Sequence, residues 1–111
     1  MFSIKERRTL LLNQVILVGR LTDKPKMQEV KNGKKITVIT IAISRPFKSI
    51  NGEYDCDFID CILWDNMASN TIEYCKKGDM LGIRGRIQSS SYKKNKLEVF
   101  TEKVTFLTNS K

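Results

Sequence analysis

Alternating apolar and polar positions divide the chain into short segments that read mostly as strands. The run NQVILVGRL, from Asn13 to Leu21, is aliphatic and β-branched, and Thr22, Asp23 and Pro25 close it, which predicts a buried first strand. A second strand is expected from Lys34 to Ser44 after the turn pair Asn32-Gly33, with Ile39, Ile41 and Ile43 on one face and Thr40, Ala42 and Ser44 on the other. The segment from Arg45 to Gly52 reads as a loop with a second turn pair, Asn51-Gly52. Beyond it a third strand spans about Tyr54 to Trp64. Its period of two sends Ile59, Cys61 and Leu63 to one side and Phe58, Asp60, Ile62 and Trp64 to the other.

The next stretch, DNMASNTIEYCKKG, changes period. Asp65 or Asn66 can cap a helix of about ten residues, with Met67, Ala68, Ile72 and Cys75 apolar, two lysines at its end and Gly78 as the stop. Residues 79–87 and 96–107 then predict a fourth and a fifth strand, joined by the polar, basic loop Gln88-Ser89-Ser90-Ser91-Tyr92-Lys93-Lys94-Asn95. Gly82 and Gly85 suit bends; Gly19 suits a bend or, equally, close backbone packing. Three strands, a helix and two more strands predict a mainly β fold, a five-stranded Greek-key barrel of the OB type with its helix between strands three and four.

The 111 residues suffice for one domain, expected over 13–107, with residues 1–12 as an N-terminal extension and 108–111 as a short end. The opening MFSIKERRTLLL is too short in its apolar run for an export signal, and no stretch is long enough to span a bilayer, so a soluble, cytoplasmic protein without a membrane partner is expected.

Charge and missing residue types narrow the chemistry. Lys and Arg number 20 against 12 Asp and Glu, a net charge of +8, which points to an anionic partner. The chain has no histidine, which removes Ser-His-Asp and Cys-His catalysis and histidine-ligated zinc. Cys56, Cys61 and Cys75 form no C-x-x-C pair and read as reduced, small core hydrophobes. No metal and no cofactor is expected. A nuclease would need converging carboxylates; Asp55 and Asp57 share the face of Ile59, whereas Asp60 points to the other side, so no enzyme activity is expected.

Four aromatics stand on polar faces or loops: Phe47, Phe58, Trp64 and Tyr92. Arg45 and Lys48 flank Phe47, Lys93 and Lys94 follow Tyr92, and Arg84 and Arg86 lie on the strand leading into that loop. Rings interleaved with cations suit single-stranded nucleic acid, since each base offers a π-face and each phosphate a charge.

The same residues carry a family resemblance. Asn13-Gln14-Val15-Ile16-Leu17-Val18-Gly19-Arg20-Leu21-Thr22, Arg45-Pro46-Phe47 after Ile41-Ala42-Ile43-Ser44, Asp57-Phe58-Ile59-Asp60-Cys61 running into Trp64, Tyr74-Cys75-Lys76-Lys77-Gly78 and Gly85-Arg86-Ile87-Gln88 stand in the order and spacing of the bacterial single-stranded DNA-binding proteins. The resemblance covers residues 13–107. It implies an OB-fold homotetramer that wraps single-stranded DNA in replication, recombination and repair, with bases stacked on Phe47, Phe58, Trp64 and Tyr92, and a location at the nucleoid. Phosphate contacts are expected among Arg20, Arg45, Lys48, Lys76, Lys77, Arg84, Arg86, Lys93 and Lys94. The alternative in the same fold is an accessory protein of the primosomal protein B type, acting mainly through protein contacts; the four retained aromatics argue against it.

Three departures qualify the resemblance. Ser89, Ser90 and Ser91 stand where the family often has basic residues, which predicts thinner phosphate contacts there or their transfer to Lys93 and Lys94. Asp60 and Asp65 neighbour the stacking positions, and a structural pairing is expected for Asp60. Family members commonly continue into an acidic-tipped tail that recruits replication and repair proteins, whereas this sequence stops at Leu107-Thr108-Asn109-Ser110-Lys111, so replication and repair proteins as partners are left open at this point.

Overall fold

A computed structural model describes residues 12–90 and 93–108. Its elements are β1 (Val15–Leu21), β2 (Glu29–Lys31), β3 (Lys34–Lys48), β4 (Tyr54–Trp64), α1 (Asp65–Tyr74), β5 (Met80–Ser89) and β6 (Leu97–Phe106). β1 runs antiparallel to β5 from Val15 opposite Gly85 to Arg20 opposite Met80, and it also meets β3 at Arg20–Ala42 and Leu21–Ile41. β5 pairs with β6, β6 runs parallel to β4 at Cys61–Val99 and Ile62–Phe100, and β4 pairs with β3. The circuit β1-β5-β6-β4-β3 therefore returns to β1 and closes a five-stranded barrel, with α1 between the third and fourth barrel strands, as an OB fold requires.

Periodicity places the core. Leu21, Ile39, Ile41, Cys61, Leu63, Ala68, Leu81, Ile83 and Val99 pack into one buried cluster, so the inward residues of every barrel strand meet and Ala68 brings the helix against them. Asn32 (φ 50) and Gly33 (φ 78) both take the left-handed conformation that a tight hairpin turn needs, as the Asn-Gly pair predicts. Gly19 serves close packing: a Cβ there would lie 2.8 Å from the Ala42 carbonyl oxygen. At Gly85 a Cβ would come within 2.1 Å of the Phe100 carbonyl oxygen, and the β5–β6 register shifts between Arg84 and Gly85.

Four expectations are corrected. A short strand, β2, pairs with the start of β3, because the Asn32-Gly33 turn folds the preceding residues back onto it. The segment 45–48 is strand and not loop: the β3–β4 ladder irregularity lies between Ser44 and Lys48, and Lys48 pairs with Tyr54 beyond it. Pro46 falls in that interruption, where its missing N–H costs no ladder bond. The helix N-cap is Trp64, extended at φ −117 and without a side-chain cap, because β4 passes directly into the helix; Asp65 becomes its first residue at φ 53. Cys61 and Cys75 are buried but Cys56 is exposed, since it shares the outward side of β4 with Phe58.

Candidate nucleic-acid interface

The outward side of β4 carries Tyr54, Cys56, Phe58, Asp60, Ile62 and Trp64 in alternation. Facing them on β3 are Ala42, Thr40, Val38 and Ile36, opposite Phe58, Asp60, Ile62 and Trp64 respectively. The small Ala42 opposite Phe58 leaves that ring's surface free. Phe58 is 66 % exposed. Trp64 is half-buried, with its indole Nε1 enclosed and without a hydrogen-bond partner among the described residues.

Both rings border clefts. Phe58 joins Val15, Leu17, Ile87, Leu97 and Val99 around an open, largely apolar cleft of about 410 Å³ where β4 diverges from β6, with Lys93 and Lys96 at its rim. Trp64 lies with Asn32, Lys34, Asp65 and Phe100 around another of about 510 Å³. Between them Thr40, Asp60, Ile36 and Val38 form the floor of a third cleft, of about 460 Å³, reached by Ser90 and Lys93 from the β5–β6 connection. Ile36 and Ile62 are buried although they lie on this side, Ile62 between its cross-strand partners Val38 and Phe100.

Charges surround this face unevenly. Arg86 lies over the Phe100 ring, its guanidinium carbon 4.6 Å from the centroid, and Phe100 pairs with Ile62, so Arg86 joins the row leading toward Trp64. Lys93 Nζ stands 3.6 Å from Asp60, whose other oxygen accepts a hydrogen bond from the Thr40 hydroxyl at 2.7 Å. The carboxylate beside Phe58 is thus paired and bonded, as expected. Arg20, Ala42 and Phe58 occupy one row across three strands, and Arg20 Nη1 donates to the Gly78 carbonyl at 2.9 Å. This bond holds the turn that carries the exposed Lys76 and Lys77 close to that row.

Other predicted residues are less directly placed. Arg45 makes a paired contact with Asp57, Nη2 to Oδ1 at 2.8 Å and Nε to Oδ2 at 3.1 Å. Hydrogen bonding from Arg45 holds the Asp57 carboxyl below its ordinary value, and the same bond raises the guanidinium. Phe47 is exposed near the end of β3, inside the irregular stretch of the ladder between Ser44 and Lys48. Arg84 stands on the outside of the barrel between Ile16 of β1 and Lys103 of β6. Lys94 is exposed beside Asn95, which takes a left-handed turn at φ 61. Tyr92 lies outside the described residues.

Two aromatics escaped the sequence reading. Tyr54 is outward by the same period that exposes Phe58. Phe100 is outward because Val99 next to it fills the core; the run Glu98-Val99-Phe100-Thr101 sets two apolar residues side by side, so its pattern does not tell which of them faces in. Burial pushes the Cys61 thiol up to about 12 and the Cys75 thiol up to about 11, with Asp60 and Asp79 adding to the effect, so neither is a thiolate at neutral pH.

The model of the single-strand binding protein family matches residues 12–107. A single-stranded DNA-binding protein of Halalkalibacterium halodurans is 43% identical over 103 residues, covering 87% of this chain and 61% of the relative. Single-stranded DNA-binding protein B of Bacillus subtilis is 39% identical over 103 residues, with 87% and 91% covered, and protein A of the same organism is 38% identical, with 87% and 60% covered. The chain therefore spans about three fifths of the first and third of these relatives and most of the second.

Proposed function

The chain belongs to the single-strand binding protein family, and from that premise we propose that it binds single-stranded DNA irrespective of sequence and protects it during replication, recombination and repair. The observation that carries this reading is the exposed Phe58 ring on the same strand side as Trp64, with Arg20, Lys93 and Arg86 arranged around that side. Bases stack on Phe58 and Trp64, and on Phe47 and Tyr92 where the strand wraps further, while Lys and Arg neutralise phosphates. The protein acts as a binder and not as an enzyme, in the cytoplasm at the nucleoid. Among the described residues no helix is long and apolar enough to cross a membrane. The primosomal alternative is not favoured, because the family match and the relatives above carry the single-strand binding description.

Assembly as a homotetramer belongs to the same reading. Its support is an outward β1 face on which Ile16 and Val18 are exposed opposite Arg84 and Gly82. Among the described residues β1 pairs with β3 only at Arg20 and Leu21, so the edge before them is open to a second copy. Light scattering should return the mass of four chains. Anisotropy of a labelled oligo-dT should rise saturably on adding protein, and a duplex of equal length should not compete; equal competition by duplex would reject single-strand recognition.

A further inference from the structure

Tyr54 has no packing reason to be an aromatic residue. It lies outside the core cluster and is 58 % exposed, on the same side of β4 as Phe58 and Trp64. Lys48 is its cross-strand partner and holds Nζ 5.8 Å from the ring centroid. The hairpin end that carries both is hydrogen-bonded, Ser49 N–H to the Glu53 carbonyl at 2.7 Å and Gly52 N–H to the Ser49 carbonyl at 2.9 Å, so the ring is presented on a closed turn.

The path from Phe58 to Tyr54 is open. On that side of β4 only Cys56 stands between them, its sulfur 3.7 Å from the Ser44 hydroxyl, and both groups are small. Four residues of strand set the two rings about 13 Å apart along one edge.

We propose that Tyr54, with Lys48 beside it, is a further base-stacking position that extends the single-strand track from Phe58 along the β3–β4 hairpin. This rests on the single-stranded DNA reading above. An exposed ring offers any base a π-face, and the adjoining ammonium can leave the ring for a phosphate of the same nucleotide.

The test combines a photocrosslink with two variants. An oligo-dT carrying 5-iododeoxyuridine, irradiated in the complex and mapped by mass spectrometry, should give an adduct on Tyr54. Tyr54→Ala should weaken oligo-dT binding about tenfold, whereas Tyr54→Phe should bind as the parent does. Quenching of Trp64 by oligo-dT is followed in each protein as a separate report on the main site, and it should still saturate in Tyr54→Ala. Parental affinity in Tyr54→Ala, with no adduct at Tyr54 and normal Trp64 quenching, would overturn this assignment alone. Loss of both binding and quenching in the parent protein would overturn the DNA-binding reading and this extension with it. Should the alanine variant fail to fold, the crosslink on the parent chain decides the matter.

Discussion

Replacing Phe58 by alanine separates binding from folding. The ring is 66 % exposed, so about one third of it is buried. Complete burial of such a side chain is worth roughly 1.5 to 3 kcal/mol, so a third of that predicts a folding cost of about 1 kcal/mol or less. Stacking of one base on an aromatic is worth about 1 to 3 kcal/mol, which corresponds to an affinity loss of roughly 5- to 150-fold at 1.4 kcal/mol per factor of ten. Phe58→Leu should fall between the two proteins, since it keeps apolar surface in the cleft shared with Val15, Ile87 and Leu97 but has no π-face. Urea unfolding and anisotropy with labelled oligo-dT on the same preparations provide the two quantities. Parental affinity in a Phe58→Ala protein of parental stability would refute the assignment of Phe58 as a stacking platform; a collapse of stability would refute the view that its side chain is peripheral to the core.

Affinity for oligo-dT should fall linearly in log-log form with salt, at a slope of about 0.7 per phosphate neutralised, and a flat response would show that the basic residues take no part. Asp57→Asn should release Arg45 from its paired contact and raise affinity at low salt, with a steeper salt dependence, in the same anisotropy assay. Because Arg45 lowers the folded-state value of Asp57 below the ordinary 3.8, the pair's stabilisation is present above that value and is lost as the pH falls below it. Acid titration of the Asp57→Asn variant should therefore lack that component of the transition. Gly85→Ala should destabilise the fold by about 1 to 3 kcal/mol in urea, because its Cβ would press on the Phe100 carbonyl, while Gly82→Ala, with its nearest contact at 3.5 Å, should be tolerated.

The barrel was legible where one physical constraint dominated. Alternation in β4 separates Ile59, Cys61 and Leu63 from Phe58, Asp60 and Trp64, and the buried cluster uses the first set. Asn32-Gly33 marks its turn because two consecutive positive φ angles admit few other residues. Legibility failed where distant segments decide the outcome. Ile62 lies on the outward side of β4 and yet is buried, between Val38 of β3 and Phe100 of β6, a parallel pairing that joins strands far apart in the sequence. The extension of β3 to Lys48 depends on a ladder that resumes past Pro46, which local loop signals hide. Tyr54 escaped notice for a related reason: its exposure follows from the strand alternation, but the cation beside it comes from a cross-strand register. The pairing of Asp60 could be expected from its neighbours, although only the fold identifies Thr40 and Lys93 as the partners.

The most direct measurement is the emission of Trp64 during titration with poly-dT, because this is the chain's only tryptophan and sits on the proposed stacking side. Saturable quenching by the single strand, and none by duplex of the same length, is the predicted result. Binding to saturation with unchanged Trp64 emission would contradict the stacking account.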